Sequence, residues 1–331
     1  MEELVKKLTE AYGPSGFEGQ VRDMILAEVK GMADEVRTDA LGNLFVLKKG
    51  KDSSKKAMLA AHMDEIGVMA TYVDKNGFVR FTRLGGVFPL NAPGSRVVFG
   101  NGTVGGIGLE RLEDRSKAPD LDKMFIDVGA RDKDSCPVKV GDAAAFSRPF
   151  VAQGGRWFAK AMDDRIGCVV LIETLRGLKK PAIDTYFVFT AQEEVGVRGA
   201  RVSAFALDPT YGIAVDVTGT GDTPECFPMA MELGKGPAIK VMDWGMLAHQ
   251  GVKSWMVKVA EEKGIPYQLE VLTMGSTDAM AIQSVREGVP SGVVSVPTRN
   301  VHSASEIVDE GDVKNAVKLL VALLSRQPEL G

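Results

Sequence analysis

The sequence predicts an α/β protein built on an open mixed sheet flanked by helices, with a smaller β-rich domain inserted into it. Short buried strands alternate with amphipathic helices towards both ends of the chain, a pattern typical of α/β folds. Residues 66–157 instead contain short strands and glycine-rich turns without a convincing helix. We therefore expect a discontinuous α/β domain, residues 1–65 and 158–331, and an inserted β-barrel-like domain, residues 66–157.

The first α/β segment carries one helical pattern and two strand patterns. Apolar residues at helical spacing predict a helix over 21–32, and short apolar runs predict strands over 44–47 and 57–61. The inserted segment has strand patterns over 68–72 and 78–83, joined by Asn76-Gly77, a pair typical of hairpin turns. Two further strands are expected over 125–128 and 142–146.

The second α/β segment restores the alternation of helices and strands. Helices are expected over 164–178, from about 199, over 253–263 and over 312–325, and strands over 185–190, 211–217, 267–272 and 289–297. The last two strands are each followed by a polar motif, so their ends are of interest for function.

Composition and charge exclude several classes of function. The 331 residues are 45% hydrophobic, which is ample for a packed core, and 40 Lys and Arg face 44 Asp and Glu. Without a basic run or patch, we expect no nucleic-acid partner. No window approaches the roughly 18 consecutive apolar residues of a membrane span, and the N-terminus lacks a signal-peptide core, so we expect no membrane partner.

The cysteines and histidines limit the possible metal ligands. Cys136, Cys168 and Cys226 have no paired spacing, which argues against a disulfide framework and favours a cytoplasmic location. The chain has three histidines, so any metal site must rely largely on carboxylates. His249 lies in a polar stretch and is interpreted as a solvated loop residue.

The most informative stretch is Thr185–Ala200, TYFVFTAQEEVGVRGA. A buried apolar strand ends there in two adjacent acids, Glu193 and Glu194. Two acids at the exit of a buried strand are costly to desolvate unless a cation or a proton accompanies them. In open α/β sheets this exit is also where ligands bind, so the pair predicts a cation site.

Other polar groups share this position, at the end of a buried strand or the start of the following helix. They are His62, Asp64, Asp163, Asp164, Asp216 and His302. Two imidazoles with several carboxylates suit zinc, cobalt or manganese, and two ions better than one. Such a pair needs a bridging carboxylate and an open water position, and a carboxylate that is not a ligand can take the water's proton.

The motifs HMDEIG, KAMDDRIG, QEEVGxRGA, VDVT and VHS occur in this order, with GSTDA before the last. Together they closely resemble the M42 family of metallo-aminopeptidases, the TET-type peptidases, over nearly the whole chain. One departure is the family's GTDA, which appears here with an extra residue as Gly275–Ala279. The resemblance implies a di-zinc peptidase type of α/β fold.

The resemblance also implies a role for each site residue and two divalent ions, Zn²⁺ or Co²⁺, per subunit. Asp163 would bridge the ions, His62 and Asp216 would complete one site, and Glu194 and His302 the other. Glu193 would be the general base, and Asp64 would orient the imidazole of His62. A metal-bridging hydroxide would attack the first peptide bond of a peptide substrate, and Glu193 would pass the proton to the leaving amine.

The substrate pocket is expected partly within 217–232 and near 274–280, with Ser276, Thr277 and Asp278 as candidate binding residues. These stretches contain apolar side chains and no lysine or arginine, so a neutral, apolar N-terminal residue is favoured. The resemblance further implies that the inserted domain mediates dimer formation and that dimers build a tetrahedral dodecamer.

Other interpretations remain open from the residues alone. Asp164 is most simply a helix N-cap, and the cluster Gly105-Gly106-x-Gly108 lacks the strand–helix context of a nucleotide loop. The acids could serve a glycosidase of the endoglucanase type, or the same centre could act as a carboxypeptidase or deacylase. A non-catalytic assembly subunit, whose metals only stabilise the fold, is the third alternative.

Overall fold

The computed structural model describes residues 1–112, 114 and 118–330. Its helices are α1 (Glu2–Glu10), α2 (Gly19–Val29), α3 (Met162–Gly177), α4 (Arg198–Leu207), α5 (Gln250–Lys263), α6 (Asp278–Gln283) and α7 (Glu310–Leu324). The strands of the large sheet are β1 (Glu35–Thr38), β2 (Leu44–Lys48), β3 (Asp52–His62), β10 (Val151–Gln153), β11 (Arg156–Ala159), β12 (Ile183–Thr190), β13 (Tyr211–Thr218), β14 (Ala238–Met242), β15 (Gln268–Val271), β16 (Ser291–Arg299) and β17 (Glu306–Asp309). The remaining strands are β4 (Gly67–Val73), β5 (Val79–Leu84), β6 (Arg96–Phe99), β7 (Val104–Leu109), β8 (Met124–Asp127) and β9 (Ala143–Phe146).

The large sheet has eleven strands and is open and mixed. Its main path runs β1-β2-β12-β3-β13-β16-β17-β11-β10, and β14 adds antiparallel to β16 with β15 beside it. The four central strands, β12, β3, β13 and β16, are parallel to one another. Their carboxyl ends therefore meet at one edge of the sheet.

Helices cover both faces of this sheet, which explains the nearly continuous apolar runs of its central strands. Every residue of β13 is buried, as are all but the last of β16. Helices α1, α2, α3, α5 and α7 contribute to the larger hydrophobic core, and α4 and α6 contribute to the core on the other face. In α2, the apolar residues that predicted the helix, Val21, Ile25 and Val29, are the ones that it buries.

The six remaining strands form a closed antiparallel barrel in the order β4-β5-β8-β7-β6-β9. The barrel has its own core, which includes Val68, Val97 and Ile126. The open mixed sheet and the separate barrel confirm the predicted fold class. Strands β10 and β11 pair with the large sheet, so the chain has already left the barrel at Val151.

Most predicted helices and strands are present, with differences at their ends. Helix α2 ends at Val29 rather than at residue 32, and Gly31 has a positive φ of 81°. The glycine cluster at 105–108 lies in strand β7, where its neighbours are other strands. No helix in the described parts of the chain is long and apolar enough to cross a membrane.

Candidate metal centre

The predicted polar residues gather where the central parallel strands end. His62 is the last residue of β3, Asp216 lies near the end of β13, and Glu193 and Glu194 follow β12. His302 lies three residues after β16, in a turn, and Asp163 lies at the start of α3. Residues far apart in the sequence meet here because parallel strands of one sheet present the same end.

Asp163 lies between the two histidines. Its Oδ1 is 3.0 Å from Nε2 of His62, and its Oδ2 is 3.1 Å from Nε2 of His302. Oε1 of Glu194 is 3.2 Å from the same nitrogen of His302. One carboxylate with a different imidazole on each oxygen has the arrangement required of a bridging ligand.

Among the residues that the structure describes, two groups of side chains have ligand atoms close enough to share an ion. One comprises His62, Asp164 and Asp216, the other His62, Asp163 and Glu194, and within each group the atoms lie within 4.8 Å of one another. Asp164 also caps the regular part of α3 as predicted, since its Oδ1 accepts a hydrogen bond from the Gly167 N–H at 3.0 Å. The Asp163–Asp164 peptide bond is cis.

Asp64 contacts Glu193, Glu194 and His62. Its two carboxylate oxygens accept the backbone N–H groups of Glu193 at 3.0 Å and of Glu194 at 3.1 Å. Its Oδ1 also lies 3.5 Å from Nδ1 of His62, and Ser15 donates its hydroxyl to Oδ2 at 2.6 Å. The hydrogen-bond partner of Nδ1 of His62 is the backbone carbonyl of Asp64, at 3.1 Å. Asp64 is fully buried, so its carboxylate orients the Glu193-Glu194 turn and its carbonyl orients the imidazole.

The electrostatics of the centre fit divalent cations. Burial, together with the nearby charges of Asp216 and Asp278, raises the pKa of Glu193 well above its usual range. Burial and Asp163 do the same to the pKa of Asp216. Oε1 of Glu194 is buried, and its contact with Nε2 of His302 at 3.2 Å lacks the geometry of a hydrogen bond. Buried carboxylates that repel one another, among them an oxygen whose hydrogen-bonding capacity is unfilled, are a donor set that divalent ions would neutralise.

Burial opposes the ionisation of Asp163, but the two imidazoles outweigh it and lower the pKa of this carboxyl. Burial likewise lowers the pKa of His302, but Asp163 and Glu194 outweigh it and raise this pKa to about 12. Without metal ions, protonated imidazoles therefore supply the positive charge that stabilises the ionised carboxylates.

The family model for M42 glutamyl aminopeptidases matches residues 42–319. The chain belongs to the M42 family of aminopeptidases. A putative aminopeptidase of Acetivibrio thermocellus is 47% identical over 323 residues, which cover 97% of each chain. M42 enzymes are metal-dependent hydrolases, so the family accounts for the carboxylate-rich centre.

Two solved structures extend the comparison to the fold. Aminopeptidase APDkam598 from the archaeon Desulfurococcus kamchatkensis superposes with a TM-score of 0.95 at 40% identity, covering 99% of this chain and 95% of that one. The TET1 peptidase of Pyrococcus horikoshii, which can assemble into a tetrahedron or a large octahedral shell, has a TM-score of 0.90 at 33% identity, covering 98% and 99% of the two chains.

In this M42 family member the barrel contributes a wall of the centre, although none of the predicted site residues lies in it. A side chain at Gly86 would place its Cβ 2.3 Å from Nδ1 of His302, and one at Gly85 would place it 2.9 Å from Oε2 of Glu194. The ring of Phe88 lies 5.9 Å from that of His302. The segment after β5 therefore needs its two glycines to approach the predicted ligands Glu194 and His302.

The candidate substrate residues lie at the start of α6. Thr277 caps this helix through its side chain, and Ser276 donates its hydroxyl to Oδ1 of Asp243 at 3.1 Å. Asp278 is buried, accepts the Thr190 hydroxyl at 2.5 Å and has a pKa raised to about 6, chiefly by burial. His249 is exposed and precedes α5, in agreement with its interpretation as a solvated residue outside the centre.

The structure adds supporting residues that the sequence analysis did not identify. Glu306 accepts the backbone N–H groups of His302 at 2.7 Å and of Asp163 at 3.1 Å. Glu18 accepts the N–H of Gln192 at 3.0 Å, beside the acidic pair. The signal for Glu306 was weak, since a glutamate four residues after His302 resembles any polar turn residue. Glu18 lies two residues after Pro14-Ser15-Gly16, and no motif of the sequence analysis includes it.

Proposed function

We propose that this M42 family member is a two-metal aminopeptidase that removes N-terminal residues from peptides, and that the predicted site residues have the roles stated above. The observation that carries the proposal is Asp163, whose two oxygens face two different imidazoles at 3.0 and 3.1 Å. His62, Asp163 and Asp216 would hold one ion, and Asp163, Glu194 and His302 the other, with Asp164 also within reach of the first.

When bound, two Zn²⁺ or Co²⁺ ions would polarise the scissile carbonyl and supply a nucleophilic water at neutral pH. Glu193 would accept the proton of that water and deliver it to the leaving amine. Its Oε2 lies 3.9 Å from Nε2 of His62, so the carboxylate lies beside the proposed ligands. Glu193 is in neither set of residues whose atoms could share an ion. The burial that raises its pKa also suits it to hold a proton during turnover.

Asp64 would act through other residues. It holds the backbone of Glu193 and Glu194 and faces the His62 ring, so it fixes the distance between base and ligands. Asp278, whose carboxyl lies close enough to Glu193 to influence its pKa, would add negative charge where the α-ammonium group of a substrate enters. An acidic wall at this point favours a free N-terminus, which is the basis of exopeptidase selectivity.

We further propose a neutral, apolar N-terminal residue as the preferred substrate. The stretches expected to form the pocket contain several methionines, and the buried Lys240 is already within 3.4 Å of Glu270 and Asp243. An acidic substrate side chain would therefore find this lysine already paired. A panel of aminoacyl-anilides should give the highest kcat/KM for Leu or Met derivatives, and a clear preference for Glu or Lys derivatives would contradict this assignment.

The central test separates the two adjacent glutamates. Glu193→Ala should keep both metals and lose turnover by about 10²–10⁴-fold, since only the proton carrier is removed. Glu194→Ala should lower metal occupancy because it removes a ligand. Metal content and anilide hydrolysis are measured for both, with the exposed Glu287→Ala as the control that should change neither. A Glu193→Ala enzyme with unchanged turnover would refute the assigned base.

The substrate terminus distinguishes this function from a carboxypeptidase or deacylase. Peptides with a free N-terminus should be shortened from that end, and N-acetylated versions of the same peptides should resist the metal-loaded enzyme. Equal cleavage of blocked and free peptides would rule out an aminopeptidase. Activity on polysaccharides that survives chelation would instead favour the glycosidase alternative.

We also propose that residues 66–157 mediate dimer formation and that dimers assemble into a tetrahedral dodecamer. The support is the similarity to the TET1 peptidase of Pyrococcus horikoshii, which can assemble into a tetrahedron. Light scattering should give a mass about twelve times the 35.5 kDa subunit. A mass equal to one subunit would contradict the proposal.

A further inference from the structure

Glu306 is a buried carboxylate that contacts two predicted metal ligands through their backbones. It accepts the N–H of His302 on Oε1 and the N–H of Asp163 on Oε2, at 2.7 and 3.1 Å. The side chains of the same two residues meet at 3.1 Å, between Nε2 of His302 and Oδ2 of Asp163. A single carboxylate thus fixes both sides of one ligand–ligand contact.

Both backbones that Glu306 holds are outside regular structure. His302 has a φ of 60°, in the left-handed region that non-glycine residues enter at a cost of about 1 kcal/mol or more. Asp163 has non-helical dihedral angles before the regular part of α3 begins. Neither N–H can therefore obtain its hydrogen bond from a helix or strand, and each would be costly to bury unpaired.

Glu306 is itself well anchored. It is the first residue of β17, pairs with Ala159 of β11 and has only 1% of its surface exposed. Strand β17 also pairs with β16, the strand that leads to His302. The carboxylate is therefore held by the sheet, and it transmits that rigidity to the two loops that carry the ligands.

We infer that Glu306 is a positioning residue for the His302 half of the metal centre, a conclusion that rests on the proposed two-metal function. Glu306 also holds Asp163, which would serve both ions, but His302 would serve only one of them. The ring of His62 has its own support from the backbone carbonyl of Asp64. Loss of Glu306 should consequently lower the affinity for the ion on the His302 side more than the affinity for the ion on the His62 side. Supporting partners of metal ligands typically contribute about 10–100-fold in affinity.

The test is a Co²⁺ titration of the metal-free full-length protein, followed by visible absorption and by metal analysis after dialysis. Glu306→Gln keeps the size of the side chain but turns an NH₂ group towards one of the two N–H donors. Glu306→Asp keeps the carboxylate but has a side chain one methylene shorter. This variant replaces Glu306→Gln in the titration if the glutamine variant fails to fold. His302→Ala identifies the spectral component that belongs to the His302 side.

The chain offers a matched control in Asp312. This residue is also 1% exposed and also accepts two backbone N–H groups, those of Gly234 and Gly236, each at 2.7 Å. Asp312→Asn removes the same kind of clamp from a loop that carries no predicted ligand. It should lower the unfolding temperature but leave both Co²⁺ affinities unchanged.

In Glu306→Gln, the Co²⁺ ion whose spectral component disappears in His302→Ala should bind at least about tenfold more weakly than in wild type. The affinity for the other Co²⁺ ion should stay within about threefold of the wild-type value. Unchanged binding of both ions, or equal weakening of both, would overturn the inference. A wild-type protein that binds fewer than two ions would instead contradict the proposed function, so the two failures are distinguishable.

Discussion

Gly86 illustrates how closely single residues are matched to the metal centre. A Cβ at this position would lie 2.3 Å from Nδ1 of His302, far inside van der Waals contact, so the imidazole would have to move. The backbone of Gly86 lies outside the left-handed region, so the restriction arises from space rather than from dihedral angles. The barrel thus determines the position of a ligand that belongs to the large sheet.

We predict that Gly86→Ala lowers kcat/KM by at least about tenfold, because displacement of a ligand by about 1 Å misplaces the reacting groups. The barrel should remain folded, as judged by circular dichroism. Gly106→Ala is the control, since a Cβ at this barrel glycine has nothing within 4 Å. Equal activity of the two variants would show that His302 tolerates the displacement.

At the scale of elements, the segment between β13 and β14 is tethered to the end of β16 by an ion pair. Asp222 accepts two hydrogen bonds from Arg299, at 2.9 and 2.7 Å, and a third from the backbone N–H of Leu233 at 3.0 Å. The Arg299 guanidinium holds the pKa of Asp222 below its usual range. Bidentate pairs of this kind are stronger than ordinary surface ion pairs.

We predict that Asp222→Asn destabilises the protein by about 1–2 kcal/mol at pH 7, the range for hydrogen bonds to charged groups near a surface. The folded-state pKa is lowered, so this contribution is present above the unfolded-state value of about 4 and is lost as the pH falls below it. The difference in unfolding temperature between wild type and variant should therefore narrow from pH 7 to about pH 3.

The control for this prediction is Asp208→Asn. Asp208 is 65% exposed and lies 3.4 Å from Arg286, so its ion pair should contribute at most about 0.5 kcal/mol. Thermal unfolding of the three proteins at both pH values is the measurement. A difference between wild type and Asp222→Asn that grows in acid would contradict the assigned ion pair.

At the scale of the whole molecule, the metal centre joins elements from most of the chain. Its proposed ligands come from the ends of β3, β13 and β16 and from the segments around α3 and β12. Ions that bind only the folded arrangement should therefore stabilise the entire fold, by about 2.7 kcal/mol at a free concentration one hundred times the dissociation constant. The relief of repulsion among the buried carboxylates acts in the same direction.

We accordingly predict that Zn²⁺ or Co²⁺ raises the unfolding temperature of the metal-free protein and that a chelator reverses the change together with activity. Glu194→Ala should show a smaller rise because it lacks one ligand. Mg²⁺ serves as the control ion, since it favours oxygen ligands in octahedral geometry and should stabilise less. Scanning calorimetry gives the comparison, and an unfolding temperature that is independent of bound metal would contradict it.

The fold class could be predicted because its main signals are local. Buried parallel strands read as apolar runs, and the helices around them carry their apolar residues at helical spacing. The strands that were missed, among them β1, β10 and β14, are short, and β1 and β10 are exposed along their whole length. Such strands form because a neighbouring strand pairs with them. A local sequence pattern carries no information about that partner.

The order of residues along the chain was enough to show which polar side chains lie near the ends of buried strands, and the structure brings these side chains together. His62 directly follows an apolar run, Asp163 lies at the start of a helix, and Glu194 and His302 lie a few residues beyond a strand. Membership of the M42 family followed from the order of the same motifs. These features depend on neighbours along the chain, so they can be read without the fold.

How the predicted ligands are held depends on the folded chain alone. Glu306 reaches back across 143 positions to Asp163, Asp64 spans 129 to Glu193, and the glycines of the barrel border His302. Each contact joins residues brought together by sheet order and by barrel closure rather than by spacing in the sequence. The residues that could bind metal are a property of the sequence, whereas the precision of their placement is a property of the fold.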